Sequence, residues 1–239
     1  MKKIEAEIKR TWMETHDVRT FRLEPEENIE FTPGQYCLVS IVGSDKHRGV
    51  EKPFTYANSP TRDYVELTIK RMGDFTTALH KLEQGEKLRL NGPRGQSLNF
   101  DESVAEDTVF IAGGSGITPF MSMIRYAIDR DLENRMTLIF SNRTEKDIIF
   151  REELESIDSR DGFKVVNTLT DNWPEDWESE TGLIDRELLE RHVERPERKL
   201  WYICGPPPMI DAMEELLLEM EVPEEKIRYE SWTIPGKGG

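Results

Sequence analysis

The residues with the most chemical content lie in the segment FIAGGSGITPFMSMIR, residues 110–125. Gly113, Gly114 and Gly116 fall where an apolar run gives way to an amphipathic one. Glycines let backbone amides come close to a ligand, and the amides and dipole of a following helix favour phosphate or pyrophosphate. The spacing alone leaves the ligand open. Pro119 stands where the usual dinucleotide fingerprint has its third glycine, and no lysine follows as in a P-loop. Ile117 replaces the last glycine of a G-x-S-x-G elbow, so Ser115 is a poor candidate nucleophile. A tight turn with no ligand is the competing reading of the glycines by themselves. Pro119 is at home in a helix's first turn, where its missing N–H costs nothing.

Other reactive side chains are sparse. Cys37 and Cys204 are the two cysteines, too few for an all-cysteine iron–sulfur centre or a four-cysteine zinc site within this chain. Both read as reduced, buried thiols. His16, His47, His80 and His192 are scattered without metal-ligand spacing, so no metal site is expected. The net charge of -15 argues against a nucleic-acid partner. An acidic surface attracts a basic redox protein, repels an acidic one, or is simply solvated. A mean hydropathy of -0.63 and the lack of any apolar run near ~20 residues argue against a membrane span. The start MKKIEAEIKR alternates like a strand and lacks the apolar middle of a signal peptide, so a cytoplasmic location is expected.

Two kinds of patterning position these residues. Up to about residue 100 the chain reads as short alternating strands broken by Pro and Gly: IEAEIKRTW, VRTFRLE, QYCLVSIV, YVELTIK and EKLRLNG. That pattern predicts an antiparallel β-barrel or sandwich, with one brief helix over 76–82. Apolar strands and helices then alternate: TVFIAGG, PFMSMIRYAIDR, MTLIFSN, DIIFREELESI, KVVNTLT, RELLERHV, LWYICG, MIDAMEELLLEM and IRYESW. Such alternation predicts an α/β domain with a parallel sheet covered on both faces. The acidic stretch 101–107 is the candidate linker, giving domains 1–103 and 104–239. Phe120, Met123, Ile124, Ala127 and Ile128 share one helix face and read as core.

The order of motifs across nearly the whole chain resembles the ferredoxin–NADP reductase superfamily. The matching segments are FTPGQY (31–36), KPFTYANSP (52–60), GDFTTAL (73–79), NGPRG (91–95), AGGSGITP (112–119), SNRTEKDIIFREEL (141–154), CGPPPM (204–209) and YESW (229–232). In that family the pyrophosphate turn ends in proline. The resemblance implies a flavin-binding β-barrel at the N-terminus, here 1–103, and an NAD(P)-binding α/β domain, here 104–239. It implies FAD in preference to FMN, and NADPH or NADH as reductant.

For the flavin, the resemblance implies that Lys52, Pro53, Phe54 and Thr55 form the cradle. Thr55 would lie near flavin N5, Phe54 against the ring system, and Lys52 beside a phosphate. Lysine stands where the family has arginine, giving a point charge in place of a bidentate fork. Phe54 lacks the hydroxyl of the family's tyrosine. Gly73 and Thr76 match a second phosphate site. For the nicotinamide nucleotide, it implies pyrophosphate at Gly113, Gly114 and Gly116, with Thr118 close by. Cys204, Gly205 and Pro206 would line the nicotinamide pocket, and Glu230 and Trp232 match the terminal Glu-x-aromatic pattern. Thr55, Cys204, Glu230 and Trp232 are thus the residues nearest the hydride. Ser141 and Arg143 would meet the adenosine 2′-phosphate, which tips the coenzyme toward NADPH, although Arg143 has carboxylates nearby to pair with instead.

The function so implied is an NAD(P)H-dependent flavoprotein oxidoreductase. It would pass hydride to FAD and single electrons to a protein acceptor such as ferredoxin, flavodoxin or a cytochrome. An NAD(P)H:flavin or cytochrome-type reductase shares the first half-reaction. A non-catalytic flavin-binding electron-transfer subunit of a larger complex is the reading from a different class.

Overall fold

The computed structural model describes residues 3–100, 102 and 107–230. The expected linker and the boundary at 103 fall largely outside them, and Trp232 does so entirely. The chain divides into two compact units, Met1–Glu102 with Thr118–Leu132, and Ser103–Ile117 with Glu133–Gly239.

The first unit is a six-stranded antiparallel sheet in the order β4-β3-β6-β1-β2-β5. Its strands are β1 (Lys3–Met13), β2 (Val18–Pro25), β3 (Tyr36–Ile41), β4 (Lys52–Thr55), β5 (Val65–Lys70) and β6 (Lys87–Arg94). A bridge between Tyr56, just after β4, and Leu67 on β5 draws the two edges toward closure as a barrel. The period-two pattern explains the packing: Ala6 and Ile8, Phe21 and Leu23, Leu67 and Ile69, and Leu88 and Leu90 all point inward and are buried. Strand β4 was not legible in the alternation, because a four-residue edge strand beginning Lys-Pro carries almost no periodicity.

Helix α1 (Asp74–Leu79) starts two residues before the expected span and ends three before it. The Thr76 hydroxyl folds back on the turn, accepting from the amides of Met72 and Gly73 at 2.8 and 3.0 Å, which pins the helix start at Gly73.

The second unit is a six-stranded sheet in the order β10-β9-β8-β7-β11-β12, and every pair in it is parallel. Its strands are β7 (Thr108–Gly113), β8 (Met136–Thr144), β9 (Phe163–Asn172), β10 (Glu180–Thr181), β11 (Leu200–Cys204) and β12 (Ile227–Tyr229). Every residue of β7 and β11 is buried, the mark of strands covered on both faces. Helices α4 (Arg186–His192) and α5 (Pro207–Glu219) set Leu188, Leu189, Ile210, Met213 and Leu217 against Ile111, Ile139, Trp201 and Ile203. Helix α3 (Arg151–Asp158) starts later than the DIIFREELESI pattern suggests, because Phe150 takes a left-handed φ of 59° and breaks the run.

Helix α2 (Thr118–Arg130) follows β7 and precedes β8, as the alternation predicts. It packs into the first compact unit. No helix among the described residues is long and apolar enough to cross a membrane.

Candidate functional site

In the second unit, the glycine turn lies at the C-terminal ends of β7 and β11, which pair Ala112 with Cys204. Parallel α/β sheets bind ligands outside those ends. A single 3₁₀ turn, Gly114–Ile117, leads from β7 into α2. Gly114 has φ 52° with open space where a side chain would point, so its backbone conformation and its clearance both suit a ligand. Gly116 meets a different constraint. A Cβ there would lie 2.2 Å from the Cys204 carbonyl oxygen and 2.8 Å from the Gly205 nitrogen. Gly113 and Gly205 are crowded by Met209, whose sulfur and methyl would sit 2.8 and 2.4 Å from added Cβ atoms. The structure therefore brings Gly113, Gly114, Gly116, Cys204 and Gly205 into one cradle, with Pro206 capping the start of α5.

Cys204 is buried, and burial together with the charge of Glu230 pushes its thiol up to about 12. It stays a thiol at neutral pH. Burial lifts the Glu230 carboxyl to about 7 from an ordinary 4.5. Below 4.5 both folded and unfolded chains hold this proton. Between 4.5 and 7 the unfolded chain loses it first, so folding stability falls as pH rises through that window. The Tm advantage of Glu230→Gln over the native chain is expected to grow by about 2–4 °C between pH 5 and pH 8, for about 1 kcal/mol. Parallel Tm–pH curves for the two proteins would contradict this.

Ser141 and Arg143 lie toward the C-terminal end of β8. Arg143 is largely exposed and donates to Asp171 on β9 at 2.8 Å. Sequence reading missed Asp171 as a specific partner, since only the β8–β9 register reveals it.

In the first unit, three motifs distant in sequence meet at one end of the sheet. Tyr36 pairs with Thr55 on β4 and with Arg94 on β6, joining FTPGQY, KPFT and NGPRG. Thr55 is partly buried, and its hydroxyl has no hydrogen-bond partner among the described residues. Lys52 is exposed on the edge strand and forms no ion pair among them. Phe54 packs partly against the barrel core, and its carbonyl accepts from the Cys37 thiol at 3.8 Å. Pro53, between them, is partly buried. A half-buried hydroxyl, an uncommitted cation and an aromatic beside the edge suit a planar ring carrying a phosphate. Gly73 and Thr76 lie at the start of α1, where the Thr76 hydroxyl also donates to the Gly73 carbonyl at 3.1 Å and is occupied by its own turn. Asp74 adds a carboxylate there, held below its usual range by the hydrogen bond from Lys46. This turn offers a phosphate backbone amides only.

Two family models match the chain. Residues 5–98 match the oxidoreductase FAD-binding domain and residues 110–215 the oxidoreductase NAD-binding domain. The chain belongs to the ferredoxin–NADP reductase family. It is 31% identical to the ferredoxin–NAD(P)+ reductase CarAd of Metapseudomonas resinovorans, over 96% of this chain and 69% of that protein. It is 30% identical to NADH-cytochrome b5 reductase 2 of Mycosarcoma maydis, over 88% of this chain. The chain spans 63% of the length of that reductase. The structure superposes on the ferredoxin reductase in carbazole 1,9a-dioxygenase with a TM-score of 0.84 and 29% identity, covering 97% of this chain and 70% of the other.

Proposed function

We propose that the chain is an NAD(P)H-dependent flavoprotein reductase that delivers electrons to a one-electron protein acceptor such as a ferredoxin, flavodoxin or cytochrome. The observation that carries this reading is that both half-sites occur in one chain: the Tyr36–Thr55–Arg94 row on the barrel, and the Gly116–Cys204 approach on the parallel sheet. FAD, when bound, supplies the chemistry that takes a hydride from a reduced nicotinamide and releases its two electrons one at a time. The protein's task is then positioning.

Thr55 Oγ1 donates to the flavin ring, Lys52 Nζ neutralises a flavin phosphate, and Phe54 flanks the ring. The amides of Gly114 and Gly116 receive the dinucleotide's pyrophosphate, helped by the start of α2 at Thr118. Cys204 and Gly205 bound the nicotinamide pocket with uncharged surface. Glu230, close enough to raise the Cys204 thiol, contributes a carboxyl that changes charge near neutral pH. Ser141 and Arg143 meet the adenosine ribose.

The charge of the chain is uneven between its units. The barrel unit carries 19 acidic and 18 basic residues, the nucleotide unit 28 and 14. An acceptor of either charge meets a weaker field at the nearly neutral barrel unit than at the acidic nucleotide unit, so docking at a flavin edge on the barrel should depend weakly on salt.

Anaerobic mixing tests the reading. The purified flavoprotein is expected to bleach with NADH or NADPH and to recover its colour on adding oxidised ferredoxin, flavodoxin or cytochrome. A yellow protein that dithionite bleaches but neither coenzyme does would favour the electron-transfer subunit that only holds flavin.

A further inference from the structure

We infer that Glu66 and Arg125 form a positioning latch that fixes helix α2, whose start at Thr118 is proposed to face the pyrophosphate, against the barrel strands of the first unit. This rests on the functional reading above.

Glu66, on β5, is buried with 3% of its surface exposed, although it is an acid. A buried carboxylate is costly unless fully paired. Here one oxygen receives Nε and NH2 of Arg22 at 2.9 and 2.8 Å, and the other receives Arg125 NH1 from α2 at 3.0 Å. The same Arg125 nitrogen donates to the Ala57 carbonyl at 2.7 Å. One turn earlier on α2, the buried Ser122 hydroxyl donates to the Asn58 carbonyl at 2.7 Å. The Asn58 side chain closes the circuit by accepting from the Glu66 amide at 2.8 Å.

Ala57 and Asn58 follow Thr55 by two and three residues. The helix is therefore tied to backbone continuous with the proposed flavin strand. Asp129, near the other end of α2, takes bonds from Thr61 and Arg62 of the same segment. Gly34 of the FTPGQY turn packs so closely on Met123 that a Cβ would lie 2.7 Å from its methyl.

An apolar pair in place of a buried ion pair often holds a fold as well or better, so stability alone is a weak reason for this one. Direction is a stronger reason. A charge-assisted bond from Arg125 and a hydroxyl bond from Ser122, to two successive carbonyls, fix both the rotation and the axial position of α2, which leucine contacts would leave free to slide. Seven residues separate Arg125 from Thr118, about 10 Å of helix, so a small tilt at the latch displaces the helix start at Thr118.

The test uses the flavin-loaded protein and three variants, Arg125→Met, Arg125→Lys and Ser122→Ala. Arg125→Met is expected to keep its flavin and its reduction by dithionite, yet slow single-turnover reduction by NAD(P)H about tenfold or more, since an ångström of misplacement can cost ~10²-fold. ADP-ribose, which needs no flavin chemistry, should bind severalfold more weakly, and amide exchange at 118–124 should quicken. Arg125→Lys should recover part of the rate, and Ser122→Ala should lose two- to threefold. A flavin-replete Arg125→Met that is reduced within twofold of the native rate, with unchanged ADP-ribose affinity, overturns the latch. Should Arg125→Met not fold, an unchanged rate and affinity in Ser122→Ala overturns it equally. If native protein is not reduced by either coenzyme, the functional reading falls. The latch is then decided by ADP-ribose binding and amide exchange: weaker binding and faster exchange in the variants support it, and no change rejects it.

Discussion

Gly116→Ala is expected to lower kcat/KM for NAD(P)H-driven flavin reduction about a hundredfold while leaving flavin binding intact. The added methyl would lie 2.2 Å from the Cys204 carbonyl oxygen, a backbone atom with no rotamer to escape into. Real contacts of that kind lie more than an ångström further apart, so the turn or the end of β11 must move by about that distance. Both are proposed ligand surfaces, and positional errors of this size reach ~10² in rate. Because the glycine turn and Cys204 belong to the second unit, the flavin absorbance and its bleaching by dithionite serve as controls for the first. Loss of coenzyme-driven bleaching with both controls normal is the expected pattern. Reduction within threefold of the native rate would show that this close approach is not part of the nucleotide site.

Gly116 also shows what the sequence could and could not say. Its membership of a glycine-rich turn was legible, because a strand ending in glycines before a helix leaves few alternatives. Which atom demanded the glycine was not legible, since the Cys204 carbonyl lies 88 residues away and arrives only through the β7–β11 pairing. The barrel strands were readable where burial alternates on one sheet face, as in Ala6 and Ile8 or Phe21 and Leu23. Strand β4 was not, for a short edge strand carrying Pro53 has neither period nor propensity.

Helix α2 lies within the span matched by the NAD-binding domain, as the strand–helix alternation implies, while it packs into the first compact unit. Its amphipathic stripe and starting proline were plain, but an apolar stripe does not name the surface that will cover it. Ser122 and Arg125, polar residues that a pattern search discounts, bond to the carbonyls of Asn58 and Ala57. Glu66 was equally hidden. In a strand reading VELTIK it looks like the solvent-facing member of an alternation, yet it is buried under two arginines.

The same blindness to pairing governs coenzyme choice. Arg143 alone favours NADPH, since a guanidinium suits the adenosine 2′-phosphate, whereas an acid near this position suits the free ribose hydroxyls of NADH. The structure supplies both, joined at 2.8 Å. The ion pair is exposed and worth at most about 1 kcal/mol, so it does not prevent Arg143 from turning to a phosphate. The carboxylate would remain, however. Two unit charges 4 Å apart in water interact by about 1 kcal/mol, and a 2′-phosphate carries nearly two. Screening at physiological salt reduces that product, leaving a penalty near 1.4 kcal/mol, or about tenfold. Arg143, once turned to the phosphate, offsets that penalty, so the native chain is expected to use NADH and NADPH with comparable kcat/KM. Asp171→Ala should raise kcat/KM for NADPH roughly tenfold and lower that for NADH severalfold, as a ribose acceptor is lost. Arg143→Ala should act in the opposite sense on NADPH. The NADPH gain should shrink as ionic strength rises, because both residues are solvent-exposed. A native preference for NADPH that Asp171→Ala leaves untouched would place the adenosine ribose elsewhere on the sheet, and with it the proposed roles of Ser141 and Arg143.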